Sequence, residues 1–566
     1  MPAREKEPKM KAEDKKKKNR ALAMPKDTGD FYVVGMGASA GGLEAFERFF
    51  RNMSNDSGMG FVLVPHLDPT HVSLMPELVQ KSTKMKVSRV KDGDKVQPDA
   101  VYIVPPNYDL AILNGILQLF PPLKAAGPRM PIDFFFRSLA DDQGEKAICI
   151  VLSGMGTDGT LGLRSVKGGL GMAMVQTPDS AKYDSMPRSA IETDLVDYIL
   201  PPEKMPAQLI AYAKHATRNV DPKLIRAQGE VTAAMQKIFI LLRTHTGHDF
   251  SSYKINTIYR RIERRMQVHQ MDKITTYVRL LQENKAEVEA LFKDLLIGVT
   301  NFFRDAEAFK ALEENALPRL LKDKSDNYTI RAWVPGCSSG EEAYSIAILL
   351  RECTEKLKRH LGIQIFATDI DRSTIETARA GAYPASISAD VSSNRLKRFF
   401  MPEDNMYRIK KDIREMLVFA PQDIIKDPPF TKLDLICCRN LLIYFDAELQ
   451  KKLLPLFHYS LKPEGILFLG TSETIGGFTD LFTAIDKKWK IFRRKGSGPS
   501  ARAAFAFSDT PPLERVYEVE PVKPKEIDVA QLAEKSLAEH YAPPSVIIDE
   551  KGEILYFHEK KLFISK

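Results

Sequence analysis

Hydrophobic residues recur in the first third of the chain as short runs, and stretches with helical spacing of apolar positions separate them. The runs lie at residues 31–34, 60–64, 100–104, 147–152 and 171–176. Short apolar runs of this kind predict buried strands, and their alternation with helices is typical of a doubly wound α/β sheet. Functional residues of such sheets gather at the carboxyl ends of the strands.

The pattern changes after residue 228. Residues 231–242, 254–268, 274–282 and 287–296 carry apolar positions at helical spacing, which predicts a helical region. A second α/β pattern follows, with strands predicted at 329–334, 363–368, 433–438 and 465–469. We therefore expect an α/β protein with two doubly wound parallel-sheet catalytic domains, joined by a helical region.

Near the C-terminus, S-V-I-I-D-E-K-G-E-I-L-Y-F alternates apolar and polar residues around a Lys-Gly turn, which predicts a hairpin after a helix at 532–541. The expected divisions are a basic disordered tail (1–28), a first α/β domain (29–207), a linker (208–228), a helical domain (229–299), a second α/β domain (300–495) with an insert at 383–419, a linker (496–530) and a short β-rich extension (531–566). A chain of 566 residues fits several domains of this size.

Charge and composition narrow the class of protein. The net charge of +8 is concentrated in residues 1–20, which hold +5 and leave +3 on the rest of the chain, so the folded body is not expected to bind nucleic acid. The five cysteines show no C-x-x-C spacing, which indicates a reduced, cytoplasmic setting without structural zinc. No apolar run approaches the roughly 18 residues of a membrane span, so no membrane insertion is expected.

The segment 35–42 reads G-M-G-A-S-A-G-G and connects the first predicted strand to a helix. Such a glycine loop can bind a phosphate, or it can hold a serine hydroxyl at the edge of a sheet. A dinucleotide site needs an acidic residue after the second strand, but that strand ends in Pro65 and His66. We therefore expect Ser39 to act with His66 as base, and Asp158, which follows the fourth strand, to orient the imidazole.

Alternatives remain open at each position. A single Ser, His or Asp at a strand end is more often a cap or turn residue than a catalyst. His71 competes for the role of base, and Asp68 and Asp179 compete for the role of orienting acid. The occurrence of all three residue types at strand ends, two of them beside glycines, favours the triad.

Six motifs in this region carry a family resemblance: G-A-S-A-G-G, V-P-H-L-D-P, V-Y-I-V-P-P-N, P-I-D-F-F-F-R-S-L-A, L-S-G-M-G-T-D-G and Y-D-S-M-P-R-S-A. In this order they resemble the catalytic domain of the chemotaxis protein-glutamate methylesterase CheB. The resemblance implies that Ser39 is the nucleophile, His66 the general base and Asp158 the orienting acid, with backbone near Met155 in the oxyanion hole. It implies hydrolysis of glutamyl methyl esters on receptor helices, and deamidation of glutamine. That family usually carries a receiver domain, whereas here a basic tail precedes the hydrolase.

The second α/β pattern has its own glycine loop, P-G-C-S-S-G-E-E, after the strand at 329–334. The next strand ends in Asp369, which can accept both hydroxyls of a ribose. Helix capping is the alternative role for this residue. Between NAD and S-adenosylmethionine (SAM), the absence of G-x-G-x-x-G and the presence of Glu341 and Glu342 favour the cationic sulfonium ligand.

T-N-F-F-R-D, W-V-P-G-C-S-S-G-E-E-A-Y-S, A-T-D-I-D and D-L-I-C-C-R-N-L-L-I-Y-F resemble the chemotaxis protein-glutamate O-methyltransferase CheR across residues 229–495. The resemblance implies SAM as methyl donor without a metal, a β-subdomain at 383–419 that touches receptors, and glycine at position 298 where the family often has a cofactor-binding asparagine. It implies a SAM site formed by Thr300, Arg304, Glu341, Asp369, Asp423, Arg439 and Asn440.

Y-R-R-I-E-R-R-M in the helical region places four arginines at adjacent helical positions, namely Arg260, Arg261, Arg264 and Arg265. They form either a solvated helix face or a docking face for an acidic partner, such as glutamate-rich receptor helices. His245 and His248 lie one helical turn apart but lack further metal ligands nearby, so a structural role is expected for both.

The two resemblances together predict a cytoplasmic bifunctional enzyme that methylates receptor glutamates with SAM and hydrolyses the resulting esters. The implied partners are the cytoplasmic domains of methyl-accepting chemotaxis-type receptors, and a sensor histidine kinase. The alternative is a receptor-associated signalling scaffold that has lost one or both activities. A small-molecule esterase fused to a small-molecule methyltransferase is a third interpretation. The C-terminal extension resembles the opening of a PAS sensor domain.

Overall fold

The computed structural model describes residues 31–66, 74–121, 129–215, 229–322, 324–496, 545–548 and 554–558. The chain divides into two compact units, Met1–Arg502 and Ala503–Lys566. In the second unit, Ser545–Ile548 pairs antiparallel with Ile554–His558, which confirms the predicted hairpin. The tail 1–28, the helix predicted at 532–541 and the Lys-Gly turn lie outside the described residues.

The first sheet has seven strands, all paired in parallel, in the order β3-β4-β2-β1-β7-β8-β9. A separate hairpin is formed by β5 and β6. The strands are β1 (Val33–Ala38), β2 (Gly60–Pro65), β3 (Lys86–Arg89), β4 (Ala100–Ile103), β5 (Asp109–Leu113), β6 (Ile116–Phe120), β7 (Ala147–Val151), β8 (Met172–Gln176) and β9 (Tyr198–Leu200). The five predicted strands are confirmed as β1, β2, β4, β7 and β8.

Helices cover both faces of this sheet, and each face has its own cluster of buried side chains. The helices are α1 (Gly42–Phe50), α2 (Met75–Gln80), α3 (Pro131–Gln143), α4 (Thr160–Gly168), α5 (Ser185–Ile191) and α6 (Met205–Lys214), with 3₁₀ turns at Gly144–Lys146 and Pro178–Ser180. Leu209 and Tyr212 of α6 are fully buried in one cluster. The start of the predicted linker at 208–228 is therefore part of the first core.

The glycines of the opening segment have two different roles. Gly35 and Gly37 belong to β1, so the loop predicted for 35–42 is a shorter turn. A Cβ on Gly37 would lie 2.3 Å from Ile132 Cγ2, and a Cβ on Gly35 would lie 2.9 Å from Phe135 Cε1, because α3 packs directly on this strand. Only Gly41 adopts a left-handed conformation in the turn, with φ of 78°. The strand is therefore glycine-rich because a helix packs closely on it.

The helical region consists of α7 (Gly229–Thr246), α8 (Ile255–Val268), α9 (Ile274–Glu283) and α10 (Lys285–Leu296). All four predicted helices are thus confirmed. Their apolar faces meet in a cluster of their own, which includes Ile238, Ile262 and Tyr277. This packing explains the helical periodicity, since each helix buries one stripe against the others.

The second sheet also has seven strands, in the order β15-β11-β10-β16-β17-β19-β18. The first five are parallel, and β19 pairs antiparallel with both β17 and β18. The strands are β10 (Thr329–Pro335), β11 (Gly362–Asp369), β15 (Leu417–Pro421), β16 (Leu433–Cys438), β17 (Leu461–Leu469), β18 (Phe482–Asp486) and β19 (Ile491–Arg494). The four strands predicted here are confirmed as β10, β11, β16 and β17.

A small antiparallel sheet has the order β12-β14-β13, formed by β12 (Ala382–Pro384), β13 (Phe400–Glu403) and β14 (Met406–Ile409). Because Leu417–Pro421 pairs with β11 in the central sheet, the insert predicted for 383–419 extends too far at its C-terminal end. The helices of this half are α11 (Ala306–Ala311), α12 (Leu317–Lys322), α13 (Glu341–Lys356), α14 (Arg372–Ala380), α15 (Ser393–Phe399), α16 (Lys411–Arg414) and α17 (Ala447–Ser460), with a π turn at Leu312–Ala316 and 3₁₀ turns at Ala385–Ala389 and Leu442–Tyr444.

The arginine-rich helix α8 lies at the junction of the first sheet with the helical region. Arg261, Arg264 and Arg265 are buried, so neither a solvated face nor a free docking face describes them. Arg264 donates to the backbone oxygen of Gly171 at 3.0 Å and to the carboxylates of Asp197 and Asp294. The arginines therefore bind the first α/β region to the rest of the unit.

Within the described ranges, no helix is long and apolar enough to cross a membrane. In the same residues, no group of three or more His, Cys, Asp or Glu side chains could hold a metal ion. All five cysteines are buried and unpaired.

Candidate active sites

Ser39 and His66 lie side by side at the carboxyl edge of the first sheet. The two strands that precede them are parallel neighbours, with Ala38 paired to Pro65, so each residue is the first one beyond its strand. The His66 amide donates to the backbone oxygen of Ala38 at 2.8 Å. Among the described residues, no hydrogen bond joins the Ser39 hydroxyl to the imidazole. The structure therefore places Ser39 next to His66, and it shows no hydrogen bond between these two described side chains.

The turn around Ser39 is held by backbone contacts. The Ser39 amide donates to the backbone oxygen of Ser153 at 2.9 Å, and the Gly42 amide donates to the backbone oxygen of Ser39 at 2.9 Å. A Cβ on Gly154 would lie 2.8 Å from Ser39 Cβ, so the backbone after β7 lies directly against the serine. Met155, the next residue, is a large exposed apolar side chain. The loop 153–156 is thus adjacent to the serine. The amides of its first two residues are already used, because Ser153 donates to the Gln176 side chain and Gly154 donates to the backbone oxygen of Tyr183.

Asp158 is buried at the start of two helices. Its carboxylate accepts the amides of Ile132 at 3.0 Å and Asp133 at 2.8 Å, in the first turn of α3. Burial, followed by the charge of Asp133, raises the pKa of Asp158 well above its usual value. In the part of the chain that the structure describes, no hydrogen bond connects Asp158 to His66. Its role as orienting acid stays a prediction.

The environment of His66 favours the neutral imidazole. Loss of surrounding water, followed by the charge of Arg129, lowers the pKa of His66 below its usual value. The side chain remains exposed, which a base that meets a substrate requires. The rival residues Asp68 and His71 lie outside the described residues, and Asp179 is exposed in a 3₁₀ turn.

A cavity of about 730 Å³, partly open to solvent, lies at the carboxyl edge of the second sheet. Residues that follow four adjacent strands line it, together with residues of the helical region. Among them are Gly336, Ser338, Asp369, Gln422, Asp423, Asn440, His248, Tyr253 and Tyr444.

Asp369 is held at the mouth of this cavity by backbone amides. Its carboxylate accepts the Ser338 amide at 2.8 Å and the Asp371 amide at 3.0 Å. Burial raises the pKa of Asp369 above its usual value, while these hydrogen bonds oppose that rise. The glycine loop and the end of β11 are therefore fixed to each other through this side chain.

Asp423 is oriented by a residue that the sequence interpretation left out of the site. His248 Nδ1 lies 2.8 Å from Asp423 Oδ2, and His248 Nε2 lies 2.9 Å from the Tyr253 hydroxyl. Burial alone would raise the pKa of Asp423, but the hydrogen bond and charge of His248 hold it below its usual value. The structural role expected for His248 is thus support of the cavity wall. No sequence signal connects it to Asp423, because 175 residues separate the two.

Two polar atoms in the cavity wall have no partner among the residues that the structure describes. Asn440 Oδ1 and Gln422 Oε1 are buried, and neither has a hydrogen bond to this part of the chain. Buried polar atoms are rarely left unpaired in folded proteins. A polar ligand such as SAM would satisfy them, so these residues fit the expected cofactor.

Four of the predicted SAM-site residues lie outside the cavity wall, namely Thr300, Arg304, Glu341 and Arg439. Arg439 donates to Asp305 at 2.6 Å and to Glu342 at 3.2 Å, and it lies over the ring of Phe468. Arg304 donates to the backbone oxygen of Val299, and Glu341 accepts from the Ser339 hydroxyl. Asp369, Asp423 and Asn440 are the predicted residues that the structure brings together, and the assignment of all seven to SAM stays a prediction.

The two sheets and their sites define an α/β chain with a hydrolase-like region and a region that holds a small-molecule cavity. Three family models match: the CheB methylesterase over residues 34–209, the all-alpha domain of the CheR methyltransferase over 233–296, and the SAM binding domain of the CheR methyltransferase over 298–491. The chain belongs to the CheR family of chemotaxis methyltransferases and carries a CheB methylesterase domain before its CheR domains.

Individual proteins and solved structures are similar to parts of this chain. A chemotaxis protein methyltransferase of Borreliella burgdorferi is 31% identical over 254 residues, which cover 44% of this chain and 90% of that protein. An uncharacterised 104.1 kDa protein of Rhodobacter capsulatus is 35% identical over 507 residues, or 85% of this chain, and the match spans 52% of that protein. Among solved structures, the CheB methylesterase catalytic domain of Thermotoga maritima is 29% identical, with a TM-score of 0.30 over 32% of this chain and 97% of that one.

Proposed function

We propose that this chain is a bifunctional chemotaxis-type signalling enzyme. Its CheR region methylates glutamate side chains of receptors with SAM, and its CheB region hydrolyses the glutamyl methyl esters. The observation that carries the proposal is the presence, in one compact unit, of Ser39 beside His66 on one sheet and of a cavity lined by Asp369 and Asn440 on the other.

In the hydrolytic reaction, the Ser39 oxygen attacks the ester carbonyl while His66 takes the hydroxyl proton. His66 then gives this proton to the leaving methoxide, which departs as methanol, and a water molecule activated by the same imidazole releases the glutamate. Backbone amides near Met155 stabilise the oxyanion. Asp158 orients the imidazole through its carboxylate, which the amides of Ile132 and Asp133 hold in place. Deamidation of glutamine follows the same course with ammonia as the leaving group.

In the methylation reaction, SAM supplies an electrophilic methyl group on a sulfonium. The Asp369 carboxylate holds the ribose hydroxyls. Asn440 and Gln422 use their unpaired oxygens on the polar groups of the ligand. The acceptor glutamate is already ionised at neutral pH, so the protein contributes chiefly by placing the carboxylate in line with the methyl group.

The proposed partners are the cytoplasmic domains of methyl-accepting receptors, with a sensor histidine kinase as a further partner. The small sheet β12-β14-β13 is the part of the insert proposed to touch receptors. The buried arginines of α8 already have partners within the chain. Arg264 binds Asp197 and Asp294, Arg265 binds Glu287, and Arg261 donates to the backbone oxygen of Lys167. Receptor contact through those three side chains is therefore not part of the proposal.

Labelled SAM and receptor cytoplasmic fragments test both activities. We expect base-labile label on the receptor from the wild-type protein and Ser39→Ala, and none from Asp369→Ala. We expect methanol release from premethylated receptor with the wild-type protein and Asp369→Ala, and a loss of about 10³-fold or more with Ser39→Ala.

Two variants at the opposite edges of the sheets serve as controls. The first is Ser57→Ala, at a position before β2, and the second is Asp326→Ala, at a position before β10. Asp326 is exposed and pairs with Arg359. Both are expected to retain wild-type rates. Absence of label with every receptor fragment would contradict the methyltransferase proposal, and equal methanol release by Ser39→Ala and wild type would contradict the serine mechanism. Loss of both activities together with retained receptor binding would favour the scaffold alternative.

A further inference from the structure

Helix α4 of the hydrolase region lies against the cofactor loop of the methyltransferase region. Leu161, in its first turn, is packed in the hydrophobic core of the second α/β region. At its other end, a Cβ on Gly168 would overlap the side chain of Val299, so this side chain lies directly against the Gly168 backbone. The helix that directly follows Asp158 is thus a shared element of both catalytic regions.

Arg164, in the middle of α4, reaches the glycine loop after β10. Its Nη1 lies 3.4 Å from the Ser339 hydroxyl oxygen and 3.9 Å from Glu341 Oε1. Ser339 in turn donates to both oxygens of Glu341, with the shorter hydrogen bond at 2.7 Å. An arginine of the first sheet therefore takes part in the local structure of a loop that belongs to the second.

The positive charge of Arg164 compensates the carboxylate of Glu341, which is only 2% exposed. Burial raises the pKa of Glu341, and among charged groups the guanidinium of Arg164 opposes that rise while Asp390 adds to it. A buried carboxylate without a cation is costly, so removal of Arg164 would drive Glu341 to take a proton or to turn towards water. Either change would disturb Ser339, which is bound to it.

The loop connects this pair to the cofactor cavity. The residue before Ser339 is Ser338, whose amide holds the Asp369 carboxylate. Arg164 also lines a second cavity, of about 810 Å³ and partly open to solvent, between the two regions. This second cavity shares wall residues with the cofactor cavity, including Gly298, Ser338 and Asp369. Arg164 is therefore connected to the cofactor cavity in two ways, through the loop that carries Ser338 and Ser339 and through the second cavity.

We propose that Arg164 of the hydrolase region is a positioning residue for SAM binding by the methyltransferase region. It neutralises Glu341 and so holds the loop 338–341 in the conformation that fixes Asp369. The inference rests on the proposed function, because it requires SAM as the ligand of the cavity. It adds a dependence of one catalytic region on a side chain of the other.

Isothermal titration of the full chain with SAM tests the inference. We expect Arg164→Ala to raise the Kd for SAM about tenfold, Arg164→Lys to restore most of the affinity because it returns the charge, and the exposed interdomain residue Arg260→Ala to match wild type. In the double variant Arg164→Ala/Glu341→Gln, no buried charge remains to be neutralised, so its Kd should stay within about threefold of that of Glu341→Gln alone.

Thermal unfolding of each variant identifies any loss of the fold, and Arg164→Lys supplies a folded variant if Arg164→Ala unfolds. Equal SAM affinity of Arg164→Ala and wild type would overturn the inference while leaving the methyltransferase proposal intact. Strictly additive effects of Arg164→Ala and Glu341→Gln would also overturn it, since they would show that the pair does not act as a unit. No SAM binding by the wild-type chain would instead overturn the proposed function, and the inference with it.

Discussion

His66 is the residue at which the structure specifies how ester hydrolysis should depend on pH. A general base acts in its neutral form, so the rate falls as pH decreases through its pKa. The environment of His66 lowers that pKa below the 6.5 of an ordinary imidazole, first through loss of water and then through Arg129. The charge of Arg129 disfavours a second positive charge on the ring, which keeps the base available at lower pH.

We predict that kcat/KM for ester hydrolysis has an acid limb with a midpoint below pH 6.5 and that Arg129→Gln moves the midpoint upwards. The control Arg51→Gln removes an exposed arginine on α1 that pairs with Glu47, and it should leave the midpoint unchanged. A pH profile measured on a soluble methyl-ester peptide checks this. An unchanged or lower midpoint in Arg129→Gln would contradict the assigned cause.

Individual site residues could be predicted to different degrees. The shared position of Ser39 and His66 at one sheet edge could be predicted, because residues that follow adjacent parallel strands lie at the same edge. The hydrogen bonds of Asp158 to α3 could not be predicted, since the pairing depends on where a helix 25 residues earlier packs. The partner of Arg439 could not be predicted for the same reason. Arg439 pairs with Glu342, whereas the neighbouring Glu341 accepts from the Ser339 hydroxyl.

At the scale of elements, part of β1 could be predicted from sequence, and part depends on how another element packs on it. The apolar run at its start predicted a strand, but the glycines that follow suggested that the strand ended at residue 34. In the structure β1 continues to Ala38, and α3 packs on it so closely that a side chain at Gly35 or Gly37 would have no room. A glycine in a strand marks such an approach of another element, and sequence alone cannot separate that role from a loop.

We predict that Gly37→Ala destabilises the protein, because its Cβ would lie 2.3 Å from Ile132 Cγ2 in a fully buried layer. Overpacking of this kind costs about 1–3 kcal/mol. The matched control is Gly477→Ala, since a Cβ there meets no atom within 4 Å. Thermal unfolding should show a lower midpoint for Gly37→Ala and a wild-type midpoint for Gly477→Ala. Equal midpoints would show that α3 moves away at little cost.

The helical region was predicted well because its apolar spacing is regular, yet the role of its most charged helix was not. Helix α8 carries four arginines, and a charged helix is usually solvated. Only Arg260 matches that expectation, with a side chain that is 65% exposed. The groups that bind the others lie on different elements: backbone oxygens of the first region for Arg261, Asp197 and Asp294 for Arg264, and Glu287 for Arg265. No local pattern could have identified these partners.

At the scale of the whole molecule, the buried ion pairs at α8 determine whether the two catalytic regions unfold as a single unit. Lys167 and Asp197 of the first sheet region meet Arg264 and Asp294 of the helical region, and all four side chains are almost fully buried. Burial alone would raise the pKa of Asp197, but Arg264 and Lys167 hold it far below its usual value. Separation of the two regions would break the Arg264–Asp197 and Lys167–Asp294 pairs, whereas the Lys167–Asp197 and Arg264–Asp294 pairs lie within one region each.

We predict that Arg264→Ala is strongly destabilising, because it leaves Asp197 and Asp294 to share Lys167 as the nearest remaining cation. Loss of one partner from a buried ionic group costs about 3–5 kcal/mol, whereas the exposed pair of Arg260 with Glu145, which also bridges the two regions, contributes about 0–1 kcal/mol. Thermal unfolding should therefore show one transition for wild type and Arg260→Ala, and a lower or divided transition for Arg264→Ala. A divided transition is expected for Arg264→Ala because uncompensated carboxylates favour separation of the two regions before either one unfolds. A single transition at the wild-type midpoint in Arg264→Ala would show that apolar contacts such as Leu161 hold the regions together without the buried ions.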